Sequence, residues 1–116
     1  MVVDDSNIIR TTVRRSLEGA GYKVLEAEEP LSALEQLNGQ KIDLIISDVN
    51  MPTMNGIEFL KKLKEIDSYK FTPVIMLTTE SQQELMMQGK EAGAKAWMVK
   101  PFNEKKLLMA VSKLTM

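Results

Sequence analysis

Short continuous apolar runs alternate along this chain with longer stretches in which apolar residues recur every three or four positions. The first run, Met1 to Val3, ends in Asp4-Asp5. Ile9, Val13, Leu17 and Ala20 then mark one face of a helix, which Gly19 and Gly21 bring to an end. Lys23 to Ala27 reads as a second strand. Pro30 suits the first turn of a second helix, carried on by Leu31, Leu34 and Leu37 and stopped at Asn38-Gly39. Asp43 to Ser47 has an unbroken apolar centre, the pattern of a strand covered on both faces. Val49 to Gly56, with Pro52 and Asn55-Gly56, is a loop. Ile57, Leu60, Leu63 and Ile66 mark a third helix. Val74 to Leu77 is a fourth strand, and a helix from about Ser81 to Ala92 follows it. Ala96 to Val99 is the fifth strand, and the last helix starts near Glu104 and carries Leu107, Leu108 and Val111.

Five strand-helix units in succession predict an α/β fold: a parallel five-stranded sheet with helices on both faces. The chain is too short for a closed eight-stranded barrel, so the sheet is open and doubly wound. Strand 1 has only three residues before its acidic pair, whereas strands of this kind run to about five. That shortness predicts residues missing ahead of Met1, with Met1 in the place of a native apolar residue.

Composition narrows the chemistry. At 116 residues the chain is a single domain, spanning residues 1–116. It has no Cys, which excludes disulfides, thiolate metal sites and a thiol nucleophile. It has no His, which excludes a Ser-His-Asp triad, a His-bound zinc and a phosphohistidine carrier. Lys plus Arg number 15 against 16 for Asp plus Glu, a balance that argues against a general nucleic-acid binder. No apolar run approaches the ~20 residues of a membrane span, and no signal peptide opens the chain. The expected compartment is the cytoplasm.

Polar residues gather at one topological place. Asp4 and Asp5 end strand 1, Asp48 ends strand 3, Thr78 ends strand 4 and Lys100 ends strand 5. Open parallel sheets bind ligands outside the carboxyl ends of their strands. Three carboxylates meeting there repel one another and need a cation. Without His or Cys the set selects a hard one, Mg2+ or else Mn2+. Mg2+ keeps an open position for a phosphoryl oxygen, Lys100 adds a positive charge and Thr78 a hydroxyl donor, which are the parts of a phosphoryl-transfer site. A carboxylate is then the plausible covalent acceptor, and Asp48, alone at the centre of the sheet, is the best placed. Each of these residues by itself has a bland reading: a capped turn, a strand threonine, a surface lysine. Their joint placement at four strand ends favours the site.

The segments VVDDS (Val2 to Ser6), SDVNMPTMNG (Ser47 to Gly56), LTTE (Leu77 to Glu80) and VKPF (Val99 to Phe102) resemble the receiver domain of two-component response regulators, and within it the single-domain chemotaxis regulators. The resemblance implies a flavodoxin-like sheet of order 2-1-3-4-5, an order for which this family is itself a standing example. It also implies roles: Asp48 phosphorylated by a histidine kinase, Asp5 bound to Mg2+ directly and Asp4 through water, and a backbone carbonyl from Asn50. Thr78 would bond the phosphoryl group and Lys100 would pair with it. Pro101 would follow a cis peptide bond. Trp97 would be the switch aromatic, where Tyr or Phe is more usual, coupled to an output face of helix 4, strand 5 and helix 5. The implied protein is a monomeric signalling switch with no enzymatic role beyond assisting its own phosphorylation and dephosphorylation.

Rival readings are a receiver cut from a larger transcriptional or enzymatic regulator, a small Mg2+-dependent phosphohydrolase, a degenerate receiver used only for protein binding, and a flavin carrier. The phosphohydrolase would need an acid or base two residues after Asp48, where Asn50 stands, and a cap for its substrate. The flavin carrier would need a hydroxyl-rich phosphate loop after strand 1. Met86, Met87 and Met98, near Trp97, form a candidate partner-binding patch.

Overall fold

The computed structural model describes residues 1–116. Its elements run β1 (Val2–Val3), α1 (Asn7–Gly19), β2 (Glu26–Ala27), α2 (Pro30–Leu37), β3 (Ile45–Ser47), α3 (Gly56–Glu65), β4 (Val74–Thr78), α4 (Gln83–Glu91), β5 (Ala96–Val99) and α5 (Glu104–Leu114). The strands form one parallel sheet of order β2-β1-β3-β4-β5.

Neighbouring strand residues point to opposite faces, so the sheet feeds two cores. Val3, Ile45, Val74 and Met76 pack with Ala33 and Leu37 of α2 and Phe59, Leu60 and Leu63 of α3. Val2, Ile46, Ile75 and Leu77 pack on the other face with Val13 and Leu17 of α1 and Leu107 and Val111 of α5. Two covered faces explain why the central strands read as continuous apolar runs. Three helices are started by a side chain: Ser6 accepts from the Ile9 amide, Asn55 from Glu58 and Asn103 from Lys106. Pro30 fills the first turn of α2 where no side-chain cap is made.

Several boundaries differ from the sequence reading. The predicted strand over Lys23 to Ala27 pairs regularly only at Glu26–Ala27, opposite Val2–Val3 of β1, its one neighbour and itself two residues long. Helix α4 begins at Gln83 rather than Ser81. The residues ahead of it belong to the loop, in which the Glu80 carbonyl accepts the Trp97 indole N–H at 2.9 Å. On α1 the buried stripe is Arg10, Val13 and Leu17, and Ala20 lies outside the helix and exposed. On α2 it is Pro30, Ala33 and Leu37, leaving Leu31 exposed.

The buried Tyr69 ties α2 to the segment after α3. Its hydroxyl lies 2.7 Å from the carbonyl oxygens of both Leu37 and Gln40. Its single proton serves one of them at a time, and the Leu37 carbonyl also accepts from the Gln40 amide at 2.8 Å.

Candidate functional site

The sheet register builds the site. Val3 pairs with Ser47, so the next residues, Asp4 and Asp48, emerge side by side, and the Asp48 amide donates to the Val3 carbonyl. Thr78 pairs with Val99, and the Lys100 amide donates to the Thr78 carbonyl at 2.8 Å. Carboxylate oxygens of Asp4, Asp5 and Asp48 come within 4.8 Å of one another. Asp4, Asp48 and Thr78 are buried, and Asp5 is exposed at the rim.

Lys100 is the one cation in this group. Its Nζ donates to Asp4 Oδ2 at 2.7 Å and to Asp48 Oδ2 at 2.9 Å. Burial works to lower the Lys100 pKa, but the bonds and charges of the two carboxylates outweigh it and the pKa is raised. Burial raises the Asp4 pKa, only partly offset by Lys100 and by the Ser6 amide, which donates to Asp4 Oδ1 at 2.8 Å. The other Asp48 oxygen, Oδ1, accepts from the amides of Val49 at 2.6 Å and Asn50 at 3.3 Å. Three carboxylates thus face one ammonium, and Asp5 has no ion-pair partner at all. An all-oxygen set with uncompensated negative charge and an open rim fits a hard divalent cation such as Mg2+.

Thr78 Oγ1 accepts from the Glu80 amide at 3.3 Å and donates to no protein group. Asn50 is exposed, and its side-chain amide donates to Glu80 Oε1 at 2.8 Å. The Lys100-Pro101 peptide is cis. Trp97 stands opposite Met76 in the register, half-buried, with its indole N–H on the Glu80 carbonyl. Beside it a cavity of about 380 Å³ is lined by Met86, Met87, Lys90, Lys95 and Trp97. Met98 does not join this patch: it packs with the Val2–Leu107 core on the other face of the sheet.

Two residues went unnoticed in the sequence. Arg10 is buried and donates to the Asp4 carbonyl at 2.6 Å and to Asn7 Oδ1 at 2.8 Å, bracing the acidic turn. The four-residue step from Leu17 to Val13 leads back to Ile9, and Arg10 lies on the same face at the three-residue step. Glu80 uses its amide, carbonyl and carboxylate to reach Thr78, Trp97 and Asn50. No sequence pattern announces that junction, because it joins two loops 30 residues apart.

The profile of the family described as response regulator receiver domain matches residues 1–112. The chain is 38% identical over 104 residues to chemotaxis protein CheY1 of Helicobacter pylori, covering 88% of this chain and 84% of that one. It is 33% identical over 115 residues to CheY-3 of Vibrio cholerae, covering 98% and 88%. The solved structure of Vibrio cholerae chemotaxis protein CheY4 superposes with a TM-score of 0.92 at 46% identity, over 97% of this chain and 94% of that one. The chain therefore belongs to the response regulator receiver domains of two-component systems, and its relatives include CheY chemotaxis proteins.

Proposed function

We propose that the chain is a Mg2+-dependent phosphoacceptor switch in a two-component pathway, with Asp48 the residue that takes the phosphoryl group from a histidine kinase. The observation that carries this reading is the Asp48 carboxylate, buried at the centre of the sheet and held by two loop amides on one oxygen and Lys100 on the other. A carboxylate fixed in this way needs no reorientation to attack an incoming phosphorus. The P–O bond to Asp48 forms as the P–N bond to the donor imidazole breaks, and the donor histidine, protonated on its other ring nitrogen, leaves with the P–N electron pair as neutral imidazole.

Asp4, Asp5, Asp48 and the Asn50 carbonyl would hold the Mg2+. Bound there, it supplies positive charge to the phosphoryl oxygens. Lys100 adds a second positive charge, and the unengaged Thr78 hydroxyl proton is available to an equatorial oxygen. The added charge keeps Lys100 in place and draws Thr78 toward Asp48, and the loop between β4 and α4 moves with Thr78. That loop reaches Trp97, so the output surface is the face of α4, β5 and α5, where Met87 and Met109 are exposed. The domain acts in the cytoplasm as a monomer, and its relatives favour chemotaxis as the pathway. It turns over no separate substrate.

Beryllofluoride, a mimic of the phosphoryl group, tests the reading. It should bind wild type only when Mg2+ is present, shifting the backbone amide signals of Val49, Asn50 and Thr79. Asp48→Asn should not respond. A response of equal size in Asp48→Asn would remove Asp48 from the acceptor role.

A further inference from the structure

Gly89 is the one buried residue of α4, and it faces the Trp97 ring. A Cβ built on Gly89 would lie 2.7 Å from Trp97 Cζ3 and 3.1 Å from Cε3. Both atoms belong to the six-membered part of the indole. The neighbour is a rigid ring and not the end of a flexible chain, so it cannot step aside by changing one terminal torsion. Its five-membered part is anchored at the opposite end, where Nε1 donates to the Glu80 carbonyl at 2.9 Å. The ring is thus held at two points, one on the loop that leaves β4 and one on α4 itself. Glycine is unfavourable inside a helix relative to alanine, and the backbone of α4 does not require it, since Gly89 shows no positive φ. The space it leaves is filled by the indole.

We propose that Gly89 is the positioning residue for Trp97: by leaving α4 bare at that turn it seats the indole with its N–H on Glu80, so that the β4–α4 loop, α4 and β5 move as one unit and the ring does not rotate on its own. The part of this concerning output rests on the phosphoacceptor reading; the seat does not. The carbonyl that holds the ring lies in the loop just ahead of α4, which starts at Gln83. Glu80 also bonds Thr78 Oγ1 and the Asn50 side chain. Glu80 thus gives a direct hydrogen-bonded route from Thr78 to Trp97, beside the pairing of β4 with β5.

Trp97 is the only tryptophan, so its indole N–H gives a single resonance in a 1H–15N spectrum. In Gly89→Ala the new methyl group must push the ring off Glu80. Hydrogen exchange at the indole N–H should then quicken roughly fivefold, the loss of one hydrogen bond. The thermal midpoint should not show the gain that alanine normally gives in a helix. In a Trp97→Phe background the crowded atoms are gone, and the same Gly89→Ala change should raise the midpoint by about 4 °C. An unchanged indole N–H in Gly89→Ala, or an equal thermal gain in both backgrounds, would overturn the seat. These arms use no metal or phosphoryl mimic, so they decide the seat even in a protein that fails to bind one. With beryllofluoride and Mg2+ bound to wild type, seen through the amides of Val49 and Asn50, the indole N–H should stay protected. A freed indole N–H in that state would overturn the single moving unit.

Discussion

The Lys100 ammonium stands 2.9 Å from Asp48 Oδ2, linking the end of β5 to the end of β3 across the intervening β4. The same nitrogen reaches Asp4, so one cation is shared by two buried carboxylates. Removing it leaves those charges buried and unpaired, a loss of about 3 kcal/mol for a pair of this kind. Lys100→Met should therefore be markedly less stable than wild type in urea at neutral pH without metal. The folded-state pKa of Lys100 is raised, so its contribution is complete below the ordinary lysine value of 10.5 and is lost as pH rises through the folded value. The gap between wild type and variant should narrow above pH 10.5. A gap that stays constant would mean that the charge of Lys100 does not stabilise the fold.

Asp5 is exposed and enters no ion pair, so its negative charge is uncompensated in the metal-free protein. Mg2+ at ten times its dissociation constant should stabilise wild type by about 1.4 kcal/mol. Asp5→Asn should lose most of that gain while melting no lower than wild type without metal. Differential scanning fluorimetry with and without Mg2+ gives the comparison. A full Mg2+ response in Asp5→Asn would take Asp5 out of the metal site.

Tyr69 tests the frame and not the chemistry. Tyr69→Phe removes the hydroxyl from between the Leu37 and Gln40 carbonyls and leaves the ring in place. Stability should fall by about 1 kcal/mol with an unchanged denaturant slope. Mg2+ binding at the far end of the sheet should be unaltered. A loss of Mg2+ affinity in Tyr69→Phe would show that the two ends of the sheet are coupled.

The fold was legible because its two cores write one signal into the central strands: Ile45-Ile46 and Val74 to Leu77 are apolar on both faces. The site residues were legible because they stand at or just beyond the ends of strands, and parallel pairing brings such positions to one edge. Edges and ends were harder to read. Only Glu26 and Ala27 of the second strand pair regularly, and apolar spacing does not mark where pairing stops. The bond from Trp97 to Glu80, in the loop ahead of α4, spans 17 positions and leaves no local trace. Arg10 follows the buried stripe of α1, where its charge is met by the Asp4 carbonyl and Asn7, partners that apolar spacing does not show.

The central claim is that Asp48 itself becomes the acyl phosphate. Wild-type protein should be incubated with Mg2+ and a small phosphodonor, and then reduced with borohydride, which converts an aspartyl phosphate to homoserine at the modified position. Peptide mass spectrometry should find homoserine at position 48 alone, dependent on both Mg2+ and donor, and absent from Asp48→Asn. Homoserine at position 4 or 5 instead, or none at 48 in a sample that has taken up phosphate, would contradict the assignment.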